Sequence, residues 1–506
     1  MPTFFQQQDE NWFLHTVERG QTVYSIAAMY NVAVEDIYAL NPQSREVIRV
    51  GEQLKIPQSS GSFAYHTIQP KETLYSVSKK YGMKGEDIIA VNPGLSTATF
   101  QIGKTIRIPT NKVTSPINGG NEIDNRVKTN NLLSNKAPIN KVGMMKIALL
   151  LPFGTKENAD SQTESVKNMN KRMVEYYEGL LLALKDAKNK GISINLQVYD
   201  TGNSTDEIKS IIKKPEMQNV NLIIGGLFDE QIKALARFAK EKDIPYVIPF
   251  NSQSNEPYDN PRVFQINTPK SNLYSKASSA FIDKYKRDNI IFVFDSNKKD
   301  NQIEFINILQ NDLKDNNILY KTIYTGDLLF NDLTRVMSIS LRNVIVPTSD
   351  STLILKQLIE TLKAARESNV RYRVSLFGSP SWQVYTNFTD QYFNLNTTFY
   401  AYFYANQTSD EVKNFYETFQ KWYGRTLINS FPKYGILAYD TGNYFISLIN
   451  SYGSNFYDHI NDARYNGLQM NFYFERVNVW GGFINTGLYF VDYTSDFSIN
   501  KTPISK

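Results

Sequence analysis

The chain has 506 residues, 41% of them apolar, with 55 Lys and Arg against 50 Asp and Glu for a formal net charge of +5. That length predicts more than one domain, and so mild a charge, with a pI near 8.8, argues against nucleic acid as a partner. The lack of cysteine excludes disulfides, thiol catalysis, zinc–thiolate sites and lipid attachment through an N-terminal cysteine. No apolar run reaches the length of a membrane span.

The first hundred residues state one pattern twice. His15, Thr22, Tyr24, Ser25, Tyr30, Asp36, Asn41 and Pro42 return 51 positions later as His66, Thr73, Tyr75, Ser76, Tyr81, Asp87, Asn92 and Pro93. Gly51, Ile56 and Pro57 return at 52 as Gly103, Ile108 and Pro109, so one residue has entered a loop. A fixed period with its insertion confined to a loop marks a duplicated structural unit. Each unit reads as strand–helix–helix–strand. In the first, polar and apolar positions alternate around His15-Thr16-Val17, and Thr22 caps a helix whose apolar face is Val23, Ile26, Ala27 and Tyr30. A second helix carries Val34, Ile37 and Leu40 on one face. Asn41-Pro42 ends it, because proline cannot continue a helix and restricts the residue before it. Leu54 to Ile56 closes the unit as a strand.

Both units resemble LysM domains, the βααβ modules that hold peptidoglycan and chitin. The resemblance rests on the strand-to-helix turns GQTVYSIA (Gly20 to Ala27) and KETLYSVS (Lys71 to Ser78), on the helix-ending Asn-Pro, and on the closing V/I-G-x-x-L/I-x-I-P. It implies domains at 13–58 and 63–110, each with a shallow groove for an N-acetylglucosamine-containing glycan. In the first unit the implied groove residues are Gly20, Gln21, Thr22, Val23, Tyr24, Asn41, Pro42 and Gln43. In the second they are Lys71, Glu72, Thr73, Leu74, Tyr75, Asn92, Pro93, Gly94 and Leu95. An acetamide suits hydrogen bonds from such loops, and a sugar face suits Val, Leu or Tyr. Thr22 and Thr73 read as caps in any case, whereas Tyr24 and Tyr75 read equally as core residues or as sugar contacts. The second unit has Lys71-Glu72-Thr73 where the family commonly has Gly-Asp-Thr. Four Lys and Arg against seven Asp and Glu give residues 1–58 a charge of −3, and six against three give residues 63–110 a charge of +3. The second unit is therefore the one suited to an anionic polymer, although a solvated face explains the charge as well. Two weak sites on one chain act together, because the second binding event is intramolecular.

Residues 111–144, rich in Asn, Lys, Ser and Gly with little apolar periodicity, read as a flexible linker. Beyond it, short apolar strands alternate with amphipathic helices. Strands are expected at 146–151, 194–199, 221–224, 246–248, 290–294, 344–346 and 374–377, with helices at 174–187, 230–239, 271–285 and 353–365. That alternation predicts parallel sheets covered on both faces, in two lobes, with any ligand at the carboxyl ends of the strands. Phe399 to Tyr404 reads as a buried strand.

Residues 145–506 resemble the type I periplasmic binding proteins, the fold of amino-acid receptors of ABC transporters. The matching features are KIALLLPFG, YYEGLLLALKDAKNKGISINLQVYDTGNS, VNLIIGGL, IPYVIPFNS, VFQINTP and YGILAYDTGNYFISLI. The fold class is thus α/β: two small βααβ LysM units and a two-lobed, doubly wound type I domain. In the amino-acid receptors a Ser/Thr-bearing turn after the third strand helps to bind the ligand carboxylate. Here that turn is Gly225-Gly226-Leu227-Phe228-Asp229, so the cleft is expected to hold something other than a free amino acid, or nothing. The cleft positions singled out are Phe153, Leu227, Phe228, Asn251 and Ser252; the plainer reading of each is a loop residue packed on its neighbours.

No HExxH, Gly-x-Ser-x-Gly, P-loop or Cys–His pair occurs, and His15 and His66 hold equivalent strand positions, leaving His459 alone. Asp200 and Asp229 follow strands but suit turns and caps better than acid–base chemistry. The chain is expected not to be an enzyme and to need no metal or cofactor. The partners expected are peptidoglycan or a related N-acetylglucosamine glycan and an envelope protein, with no nucleic acid and no membrane span. The reading is a periplasmic or cell-envelope protein whose LysM units anchor a scaffolding or regulatory domain. The alternative is a wall-tethered receptor for amino acids, peptides or muropeptides. A wall-binding module needs export; Phe4-Phe5 reads as the tail of a signal peptide, the rest lying upstream or removed.

Overall fold

The computed structural model describes residues 12–45, 47–58, 63–96, 98–110, 143–155, 163–297, 300–327, 329–460, 463 and 465–504. Nearly all of the expected linker, residues 111–142, lies outside the described residues, as does Phe4-Phe5. In the first unit, β1 (Trp12–Thr16) and β2 (Gln53–Pro57) pair antiparallel, with His15 opposite Leu54. Helices Val23–Tyr30 and Val34–Leu40 lie between them and bury Ile26, Ala27, Tyr30 and Ile37 against Leu54 and Ile56. The second unit repeats this with β3 (Phe63–Thr67), helices Leu74–Lys80 and Gly85–Ala90, and β4 (Thr105–Pro109). The units touch: Phe13 stacks on Tyr65 at 5.1 Å, and Lys104 pairs with Glu18.

The large domain starts with β5 (Met145–Leu151), β6 (Ile194–Asp200), β7 (Leu222–Gly225), β8 (Tyr246–Ile248) and β9 (Val263–Gln265). The chain then crosses to a second lobe with β10 (Asn289–Phe294), β11 (Tyr320–Tyr324), β12 (Asn343–Pro347), β13 (Val374–Gly378) and β14 (Thr398–Ala401). It returns through helices Asp410–Tyr423 and Tyr434–Tyr452, the second of which packs along helix Glu164–Asn189 of the first lobe. The pairs β15 (Tyr465–Asn466) with β16 (Asn471–Phe472), and β17 (Phe474–Arg476) with β18 (Phe483–Asn485), follow. A last crossing delivers β19 (Leu488–Tyr493) and β20 (Ile499–Ile504) to the second lobe.

The first lobe's sheet runs β17-β18-β9-β8-β7-β5-β6 and the second lobe's β11-β10-β12-β13-β14-β19-β20. Strands β5 to β9 are parallel, as are β10 to β14; all but the edge strands β6 and β11 are buried on both faces because helices cover both. In each lobe the order reverses beside the first strand, which opens a crevice at the carboxyl ends. At that point β7 approaches β5 so closely that a Cβ on Gly225 would lie 2.0 Å from the Leu150 carbonyl oxygen. Helix Ser271–Tyr285 and strand Tyr246–Ile248 have the expected bounds. The buried strand expected at Phe399 to Tyr404 holds only as far as Ala401, where it ends; Tyr402 and Phe403 lie beyond it and are half-buried. The sequence reading lacks β9, β11 and everything from β15 on.

Candidate functional site

The two LysM turns are built alike from a small set of interactions. Gly20 has φ +81°, and Lys71 at the same place takes φ +69° although it has a side chain. Thr22 and Thr73 are N-caps: each side chain accepts from the backbone N–H of Ser25 or Ser76 at 3.1 Å, while the serine hydroxyl accepts from the threonine N–H. His15 shares hydrogen bonds with the Tyr30 hydroxyl and Gln21 Oε1, both at 2.7 Å. His66 repeats this with Tyr81 at 3.0 Å and Glu72 at 2.7 Å. Since Gln21 Oε1 can only accept, Nε2 of His15 carries the proton and Nδ1 accepts from the tyrosine. Burial lowers the pKa of both rings, against the opposing pull of Gln21 and Glu72, so both are neutral scaffold.

Of the implied groove residues, Asn41 and Asn92 are buried staples. Asn41 Nδ2 donates to the carbonyls of Ile37 and Lys55, and its Oδ1 accepts from Lys55 N–H. Asn92 does the same with Ile88 and Arg107. Gln21 and Glu72 are held by the histidines, and Val23 and Leu95 are buried. Tyr24 and Tyr75 are 71% and 69% exposed, so neither fills the core. Pro42, Gln43, Lys71, Thr73 and Pro93 are exposed as well, Leu74 is half-buried, and Lys79 sits over the Tyr75 ring at 5.5 Å.

The units do not stand apart from the large domain. Trp480, between β17 and β18, is 2% exposed and lies against Tyr30 at 6.0 Å and Tyr65 at 5.7 Å, one ring from each unit, with the Arg107 guanidinium over it at 4.7 Å. Arg107 pairs with Asp259 at 2.6 Å. Burial would raise that carboxyl, but Arg107 and Lys240 hold it below its ordinary value. The Gly94 N–H donates to the Val479 carbonyl at 2.6 Å, so this groove residue faces the first lobe. Gly20 faces helix Ser271–Tyr285, which packs into the second lobe: a Cβ there would lie 2.8 Å from the Asn272 carbonyl, and Arg19 donates to the Ser275 carbonyl at 3.2 Å. The sequence carries a weak signal for this contact in Trp480, whose flanking strands are too short to read.

At the carboxyl ends of the first lobe's strands, Phe153 donates its N–H to Asp200 at 2.9 Å and rests on Tyr177. Asp200 also accepts from Thr155 and Gly202, and these bonds hold its pKa down against partial burial. Phe228 is the N-cap of helix Asp229–Lys242, is 36% exposed and makes no capping bond, while Leu227 beside it is half-buried. Asn251 Nδ2 donates to Asp229 at 2.6 Å, and Asn251 Oδ1 accepts from Gln253. Ser252 Oγ accepts from Gln253 Nε2 at 3.4 Å. A carboxylate therefore occupies the helix N-terminus that an anionic ligand would otherwise find. The matching ends of the second lobe, missed by the sequence reading, form an open pocket of about 540 Å³ with Asp295, Asp300, Asn301 and Ser349. Each of these residues follows β10 or β12, which is the signal that could have found them. Asp350 next to them accepts from Asn301 and from Ser381 at 2.8 Å. Among the described residues no group of three or more His, Cys, Asp or Glu could hold a metal ion, and no helix is long and apolar enough to cross a membrane.

Residues 15–57 and 66–109 match the LysM domain, and residues 177–441 match the receptor family ligand binding region. The second match spans more than half of the chain, which therefore belongs to that family, with two LysM domains ahead of it. Over 97 residues the chain is 33% identical to a protein of Bacillus subtilis named as a sporulation-specific glycosylase, YdhD, covering 19% of this chain and 22% of that one. It is 28% identical over 106 residues to the probable autolysin SsaALP of Staphylococcus aureus, covering 19% and 40%. The chain thus spans less than half the length of these curated relatives. A solved branched-chain amino acid ABC transporter protein from Rhodospirillum rubrum is similar at 13% identity and a TM-score of 0.46, covering 71% of this chain and 99% of that chain.

Proposed function

We propose that the protein is a non-catalytic, peptidoglycan-anchored scaffold of the cell envelope or periplasm, whose two-lobed domain holds or regulates an envelope protein. The LysM domains supply peptidoglycan binding, through Tyr24, Pro42 and Gln43 in the first unit and Lys71, Thr73, Tyr75 and Pro93 in the second. The observation that carries the scaffold reading is the Trp480 anchor. It ties both wall modules to the first lobe, so a bound glycan strand sets the orientation of the large domain. A receptor that must diffuse to a transporter gains nothing from such a fixture. Nor does a free carboxylate ligand suit a cleft wall made of Phe153, Leu227, Phe228 and Asp229. The test is co-sedimentation of the full chain with purified peptidoglycan sacculi, followed by cross-linking in envelope extracts. Tyr24→Ala/Tyr75→Ala is expected to weaken pelleting with no loss of melting temperature, because both rings are exposed and stabilise little. Pelleting as strong as that of the wild type would refute the groove assignment.

The open pocket of Asp295, Asp300, Asn301 and Ser349 favours a second reading, a wall-tethered solute receptor for a polar ligand. A thermal-shift screen of amino acids, short peptides and muropeptides separates the two, since a ligand that binds the folded state raises the melting temperature by mass action.

A further inference from the structure

The second lobe carries a cavity at the end opposite the cleft, by the amino ends of its parallel strands. It has a volume of about 1040 Å³ and opens between helix Thr352–Ser368, the starts of β13 and β14, and the end of β19. Five cations line it, Lys284, Arg342, Lys363, Arg366 and Arg373, against two acids, Glu367 and Asp492. Two of the five are neutralised: Lys284 by Asp492, and Arg342 by Asp288 at 2.5 Å. Among the described residues Arg366 and Arg373 donate only to neutral carbonyls, those of Asn394 at 2.7 Å and Ser340 at 2.5 Å. Lys363 is exposed and makes no hydrogen bond or ion pair among the described residues. Three positive charges thus ring the mouth, with Glu367 alone to oppose them. Ile359, Leu395, Tyr372 and Tyr493 add apolar surface to the wall. One donor, Arg342 Nε, and one acceptor, Gln391 Oε1, are buried there with no protein partner. Buried polar atoms are rarely left unpaired.

We infer that this cavity is a docking site for an acidic peptide segment in extended conformation, its carboxylates on Lys363 and Arg366 and its apolar side chains on the aromatic wall. A lone phosphate would need donors converging on one point, whereas these cations are spread along a rim. Lys363 and Arg366 are three apart on one helix, which places their Cβ atoms about 5–6 Å apart. Carboxylates on alternate residues of an extended peptide lie about 6.6 Å apart and match that spacing, while the residues between them point the other way. A peptide also brings backbone N–H and C=O groups, which suit Gln391 Oε1 and Arg342 Nε. The inference deepens the scaffold reading by naming the chemistry of the partner, and it rests on that reading only for the segment belonging to another protein.

The experiment is fluorescence polarisation of the full chain with labelled Glu-Phe-Glu-Phe-Glu and its glutamine counterpart Gln-Phe-Gln-Phe-Gln. The acidic peptide is expected to bind about tenfold or more tighter than the glutamine one, and to weaken as salt is raised. Lys363→Ala/Arg366→Ala is expected to abolish the difference with little change in melting temperature, since both side chains are exposed and the one bond lost, from Arg366 to the Asn394 carbonyl, is at the surface. Equal binding of the two peptides, no binding of either, or a double variant that binds as the wild type does would each overturn the inference. Free glutamate at the same carboxylate concentration is the control: competition as strong as that of the peptide would mean a small-anion site and also overturn it. A positive result alongside a failed envelope cross-link would leave the cavity assigned and count only against scaffolding.

Discussion

A neutral histidine at the base of each LysM unit joins the first strand to the first helix, and its partner at the turn differs by one atom type. Gln21 in the first unit and Glu72 in the second accept from the same ring nitrogen and from the backbone N–H three residues before them, that of Glu18 or Gln69. Stability should therefore depend on pH. Above pH 6.5 both rings are neutral, folded or unfolded. Below it the unfolded chain takes up protons that the buried rings resist, so this contribution falls as pH drops from 6.5 until the folded rings titrate. Asp440 opposes it: burial pushes its carboxyl up to about 6, so the stability it contributes is present at low pH and lost as pH rises through 6. Thermal melting between pH 7.5 and 5 should show His15→Gln/His66→Gln losing less stability than the wild type as pH falls; parallel curves would reject the assignment. The caps make a second prediction. Thr22→Ala and Thr73→Ala should each cost about 1 kcal/mol, measured by denaturant melting of the full chain. Their effect on wall binding is thereby mixed with folding, which is why the exposed tyrosines test the groove better. The 51-residue spacing made the histidines legible as structure. It could not show that Asn41 and Asn92 point inward, because a polar residue in a loop looks the same in sequence whether it meets sugar or a neighbouring carbonyl.

At the scale of elements, the strands read well were those with unbroken apolar runs, such as Ile147 to Leu151, because both faces of a parallel sheet are covered. β11 was missed because as an edge strand it buries Ile323 alone and exposes Lys321, Thr322 and Tyr324. The β17–β18 hairpin was missed because each strand has three residues, and β18 finds its other partner, β9, more than two hundred positions away. This hairpin is one of the seats of the LysM units on the large domain. Trp480 touches a tyrosine from each wall module, while the Asn478 side chain accepts from the N–H groups of Trp480 and Gly481 and fixes the turn. Trp480→Ala should cost about 3 kcal/mol of the contact between modules and lobe, the usual loss for a fully buried aromatic. Limited proteolysis reads this directly: the variant should be cut between residues 110 and 145 sooner than the wild type and release a LysM fragment. Equal cleavage rates and co-elution of the fragments would show that Arg107–Asp259 and Gly94–Val479 suffice without it.

Across the whole molecule, the sequence suggested wall modules on a tether, with the large domain free at its far end. Domain classes and order were legible because each class has its own period, but the seating of one on another depends on a few residues scattered over the chain: Arg19, Gly94, Arg107, Asp259 and Trp480. None carries a local pattern. That seating changes what is expected of the large domain alone. In the full chain the LysM units cover Trp480 and Tyr258, which are 2% and 7% exposed, and Val479 packs beside them. A fragment of residues 145–506 uncovers all three together with Asp259, which loses Arg107 and keeps only Lys240 at 3.2 Å. Contiguous apolar surface of this kind is rare on a monomer and drives association. Light scattering after size exclusion should find the full chain monomeric at concentrations where the fragment forms dimers or larger species, and Trp480→Ser should return the fragment to a monomer. A fragment that is monomeric with Trp480 in place would mean the hairpin folds back on the lobe when the wall modules leave. Wall binding and the orientation of the large domain would then be separable, and the scaffold would be a hinged one.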